Sequence, residues 1–174
     1  MYIETFLQMK KQLGQLDKWL GTADEYAKSK NFDSVVLAGS RLAPDMFPLS
    51  AQVRIACDQI SAALKRVTDS TFSLPDEDDT TLAAARERVA KVRAALADQS
   101  DDSFVAPDRT IELALPNGMN FAMRADEYVR DWTLPQLFFH LTTAYAILRA
   151  QGVSVGKADF LPYMMKYAKA AAPA

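Results

Sequence analysis

"LPQLFFHLTTAYAILR", residues 134–149, decides the fold. Leu134, Leu137, Phe138, Leu141, Ala144, Tyr145 and Leu148 recur at spacings of three and four, the period of an α-helix with one apolar face. Phe139 and Ile147 lie off that stripe, which predicts a helix covered on more than one side. Thr133 suits the N-cap, Pro135 the first turn, and Gly152 the stop after Ala150. His140, the one histidine of the chain, stands in the middle. It is a metal ligand, a base, or a polar residue filling a core.

The same period appears in three earlier segments. Residues 3–29 place Ile3, Phe6, Leu7, Leu13, Leu16, Trp19 and Leu20 on one face, with Lys10, Lys11, Asp17 and Lys18 expected in solvent. Residues 31–48 are punctuated by Asn31, Gly39, Pro44 and Pro48 and read as a short helical turn at 33–37 and an ordered connection. Pro48 opens a second helix with Leu49, Val53, Ala56, Cys57, Ile60, Leu64 and Val67 inward, ending near Asp69. A polar loop, "STFSLPDEDD" (70–79), leads into a third helix over 81–97. Its acidic end favours the helix dipole. Arg86, Glu87, Lys91 and Arg93 are expected to face water.

In "RTIELALPNGMNFAMR" (109–124) the period drops to two. Ile111, Leu113 and Leu115, then Met119, Phe121 and Met123, alternate about Pro116-Asn117-Gly118, which predicts a β-hairpin laid on the helices. A short helical turn at 125–129 follows. The fold class is all-α: a four-helix bundle with a small β-hairpin before the last long helix. Residues 1–163 form one domain and 164–174 an Ala-rich tail.

Composition limits the function. The 174 residues are 49% apolar with a net charge of -2, enough for a sizeable core, and that charge argues against a general electrostatic grip on nucleic acid, which needs a basic face. A single cysteine, Cys57, rules out an internal disulfide and fits a reducing compartment. No stretch approaches the about 20 apolar residues of a membrane span. The expectation is a cytoplasmic protein without a cofactor.

Two blocks, "RLAPDMFPLSAQVRIACD" (41–58) and "LPQLFFHLTTAYAILRAQGVSVGKADFL" (134–161), resemble the bacterial family called domain of unknown function 1993. That family is similar to the DinB/YfiT-like superfamily of four-helix bundles, and the resemblance implies the same bundle. It brings no assigned activity. Many members of the superfamily bind a divalent metal through one histidine of the second helix and an H-x-x-x-H pair on the last. Some act as thiol-dependent transferases or isomerases. Here His140 matches the first of the pair, Ala144 stands at the second, and the second helix has no histidine, so the resemblance implies no metal site.

The remaining chemistry is sparse. A His140, Cys57 and Asp58 set would suit zinc, yet neighbours on a helix point about 100° apart. Cys57 with His140 as base is an enzyme reading; against it, a cysteine on an apolar stripe is commonly a small core residue. Otherwise His140 is expected to hydrogen-bond Asp45, Asp58, Tyr145 or a threonine. Arg41 braces the irregular connection, paired with Asp45, or binds an anionic ligand at the bundle mouth. Phe139 and Tyr145, among the aromatics near the last helix, fit a small-molecule pocket, a core, or a homodimer interface. Two functions follow. One is a metal-free bundle that binds a small ligand or a partner, or self-associates; the other is a transferase or isomerase using His140 with an acidic partner.

Overall fold

The computed structural model describes residues 2–77 and 79–169. Four long helices carry the bundle: α1 (Tyr2–Ser29), α3 (Leu49–Val67), α4 (Leu82–Ala97) and α6 (Leu134–Ala150). α2 is a single turn, Val35–Ala38. α3 packs on α6 and α4, and α1 on α4 and α6, closing a ring around one core. Trp19, Phe6, Leu16, Ile60, Leu64 and Leu141 fill it. These are the residues the period placed inward. Leu7 is the exception: it is exposed.

The charged face of α1 differs from expectation. Asp17 Oδ1 accepts a 2.8 Å bond from Arg86 Nε of α4, so this edge of α1 meets a helix rather than open water. A helical wheel separates apolar from polar, not solvent from a polar seam.

β1 (Thr110–Ala114) and β2 (Asn120–Arg124) pair antiparallel with Leu113 opposite Phe121 and Ile111 opposite Met123. Gly118 takes φ +86°, a left-handed conformation suited to glycine, and Asn117 Oδ1 accepts from Met119 N–H. Ile111 and Leu113 are buried, but Met119 and Phe121 stay exposed. β1 therefore rests on the bundle while β2 is the outer edge.

The chain then enters one continuous rod: α5 (Ala125–Glu127), a π-helical turn (Tyr128–Thr133) and α6. Leu134 N–H bonds Val129 C=O, the i to i+5 pattern of a π-turn. Thr133 is consequently not an N-cap. Its φ and ψ are helical (-64°, -48°) and its side chain makes no capping bond, since the chain arrives already wound. Gly152, at φ +86°, stops the rod as expected.

α7 (Lys157–Phe160) and a 3-10 turn (Pro162–Tyr167) fold back on α1, where Trp19 Nε1 donates to Asp159 C=O. Asp159 Oδ2 accepts from the Gly156 N–H at 2.7 Å. The 3-10 turn crosses the expected boundary at 163, and the end of the Ala-rich tail lies outside the described residues.

Candidate functional site

His140 faces α3, and α3 presents Gln52 to it. Pro48 leads into α3 with extended backbone, which brings the Phe47 carbonyl over its first turns. Gln52 Nε2 donates to that carbonyl at 3.1 Å. The amide orientation is thereby set, with Oε1 aimed at α6. His140 Nδ1 lies 2.8 Å from Gln52 Oε1, and since Oε1 only accepts, Nδ1 carries the proton. The neutral ring then holds its lone pair on Nε2, which has no hydrogen bond among the described residues. Burial pulls the His140 pKa below its ordinary 6.5, and no carboxylate acts against that shift. At neutral pH His140 is an uncharged, oriented imidazole, 7% exposed.

None of the partners expected for it is the one found. Asp45 is exposed in the 39–48 connection, which is irregular rather than helical. Arg41 bonds the Met46 carbonyl and so braces backbone directly. Tyr145 packs edge-on against Trp19 and Phe160, at centroid distances of 5.8 and 5.9 Å. Phe139, in contrast, is 58% exposed. Gln52 carries no motif; the only hint of it is that a fully polar residue interrupts the inward stripe of α3 between Leu49 and Val53.

Asp58 belongs to a different centre. Its carboxylate lies 3.4 Å from Arg54 and 3.3 Å from Arg88. Burial of the carboxyl outweighs both arginines and raises its pKa. Arg88 is 4% exposed and also bonds Asp79 at 2.6 Å and the carbonyls of Pro75 and Glu77. Four contacts from one guanidinium, three of them to the 70–80 loop, tie that loop to α4, a role that gives no sign in the sequence. Cys57, next to Asp58, is enclosed in apolar surroundings, and burial pushes its thiol pKa far up. A thiol held protonated is no nucleophile.

Outside His140, the rod carries a shallow cleft of about 510 Å³ lined by Asp131, Trp132, Pro135, Gln136 and Phe139. Phe121 of β2 leans on Trp132 at 5.8 Å, so the hairpin edge walls one side. The π-turn sets Trp132 in line with Phe139 on the outer face of α6.

Comparison with known proteins agrees with this architecture. A family model described as "Domain of unknown function (DUF1993)" matches residues 1–161. The chain belongs to that family. A crystal structure of a DinB family member protein from Shewanella denitrificans is 36% identical to this DUF1993 chain, with a TM-score of 0.81 over 100% of this chain and 96% of that one. No curated protein matches. The DinB/YfiT-like bundle expected from the two sequence blocks is therefore the fold of this family member.

The three-histidine metal arrangement of the superfamily does not fit the residues present. Ala144 has no donor atom, and the α3 residue that meets His140 is an amide already bonded to it. No group of three His, Cys, Asp or Glu side chains converges among the described residues. No helix among them is long and apolar enough to cross a membrane.

Proposed function

We propose that this chain is a binding protein whose ligand is a small planar apolar molecule, held in the cleft between Trp132 and Phe139. One observation carries the reading: Phe139 presents its ring to solvent from a helix whose other large apolar residues are buried or half-buried, and it does so about two turns from Trp132. Aromatic rings accept a flat ligand by stacking at little entropic cost, and the cleft is within the about 300–1,000 Å³ usual for small-molecule sites. Neutral His140 stiffens the floor through Gln52.

The alternative, a thiol-dependent transferase or isomerase using His140 with an acidic partner, has less support. Asp58 is engaged by two arginines and Nδ1 of His140 by an amide. Fluorescence tests the proposal directly. Trp19 is enclosed and Trp132 lines the cleft, so a Trp19→Phe background lets quenching by an added planar probe report Trp132. Titration with 1-anilinonaphthalene-8-sulfonate is expected to saturate in the wild type and weaken at least fivefold in Phe139→Ala. Equal binding by the two proteins overturns the reading. A wild-type dimer that Phe139→Ala converts to monomer, seen by analytical ultracentrifugation, would replace the ligand with a second copy of the chain.

A further inference from the structure

The seam between α1 and α4 contains the same arrangement twice, seven residues apart on each helix, with opposite charge. Arg86 of α4 lies over Gly21 of α1, its guanidinium within 3.7 Å of the point a Cβ would occupy. Arg93, two turns on, lies over Gly14 in the same way, at 3.4 Å. The glycines let each planar group settle against the α1 backbone. Four residues before Gly21 stands Asp17, which accepts from Arg86 Nε at 2.8 Å. Four residues before Gly14 stands Lys10. The first arginine thus meets a carboxylate, and the second shares its cleft with a cation.

The consequence is a concentration of positive charge with no internal counter-ion. A cleft of about 460 Å³ is lined by Lys10, Lys11, Lys18 and Arg93, with the Tyr163 ring and Leu7 as its apolar wall. Among the described residues none of these four cations has an ion-pair partner, and Asp17, the one carboxylate at the rim, is taken by Arg86. Arg93 Nε is buried and makes no hydrogen bond. A buried donor without an acceptor is destabilising. Like charges gathered in one cleft repel one another, and an anion that bridges them removes that repulsion. Tyr163 is held in place by Gln12 Nε2, which donates to its hydroxyl at 2.8 Å.

We propose that this cleft binds a phosphorylated small molecule, its phosphate oxygens accepting from the Arg93 guanidinium and the ammonium groups of Lys10, Lys11 and Lys18, and its organic part lying on Tyr163 and Leu7. A dianionic phosphate suits three or four cations better than a carboxylate does, and offers an acceptor to each. The site lies on the α1–α4 seam, apart from the cleft on α6, and does not depend on the function proposed for it.

The test is calorimetric and NMR titration of the full chain with phenyl phosphate, at a constant ionic strength of about 0.15 M. Saturable binding is expected, with amide shifts centred on Lys10 to Lys18 and Arg93, and benzoate at least tenfold weaker. Lys10→Glu supplies Arg93 with the carboxylate that Asp17 gives Arg86. It is expected to weaken phenyl phosphate at least tenfold while the melting temperature holds or rises. Lys65→Glu makes the same change of net charge on exposed α3 surface and is expected to leave binding intact. The proposal is overturned if phenyl phosphate does not saturate, if chloride or benzoate binds as well, or if Lys10→Glu binds like the wild type.

Discussion

Two buried polar centres flank α3, one against α6 and one against α4, and they are built on opposite principles. His140 and Gln52 are neutral and joined by one bond that a peptide carbonyl orients. Arg88 is charged and needs two carboxylates and two carbonyls to be tolerated. A neutral pair is satisfied by a single well-aimed partner, whereas an ion withdrawn from water requires a full set. The rare residue drew attention in the sequence, but it is the common arginine that the loop and helix depend on.

This contrast sets the order of expected effects. Arg88→Ala strands Asp79 and releases the 70–80 loop. A loss of about 3–5 kcal/mol in urea denaturation is expected, the cost of breaking a buried ion pair from one side. A loss under about 1 kcal/mol would reduce this centre to a surface bridge. Gln52→Leu leaves His140 Nδ1–H without an acceptor and should cost about 1–3 kcal/mol, while Gln52→Leu with His140→Leu should recover most of it. If the double variant is no better than the single, packing rather than the hydrogen bond explains the loss.

A pH effect also belongs to His140. Its folded pKa is below the ordinary 6.5, so the unfolded chain binds the proton first. The contribution of the neutral ring is fully present above 6.5 and is lost as pH falls from there through the folded value. Thermal melts from pH 7.5 downward should show this decline in the wild type and a shallower one in His140→Leu. Ring chemical shifts should titrate below 6.5, and a midpoint above it would mean a carboxylate near the ring. The smallest effect is the reference: Thr81 Oγ1 accepts from Ala84 N–H at 3.1 Å, and Thr81→Ala should cost about 1 kcal/mol.

The bundle was readable because its signal is repeated over whole helices. Leu13, Leu16 and Leu20, or Leu137, Leu141 and Leu148, fix a face by number, and one misplacement such as Leu7 changes nothing. The hairpin was readable from a change of period and one turn with Asn117 and Gly118. The polar centres were not, because each depends on a single meeting of distant residues: Gln52 with His140, Arg88 with a loop nine and more residues earlier. Nothing in spacing distinguishes Arg88 from Arg86 or Arg93, yet the three face a loop, an aspartate and a lysine-lined cleft. Thr133 misled for a related reason. Its chemistry suits a cap, but a cap is needed only where a helix begins.

The π-turn at Tyr128–Thr133 bears on how this chain tolerates changes of length. A turn closed on i to i+5 bonds holds one residue more than an α-turn, and the helical faces on either side keep their phase around it. Loss of a solvent-facing residue there, such as Arg130, lets the turn relax to α geometry with α6 still seated. Loss of a residue between Leu134 and Gln136 would instead rotate one part of the rod about 100° against the other and swing Trp132 out of line with Phe139. In this rod, the π-turn is where a single-residue deletion is expected to leave α6 seated.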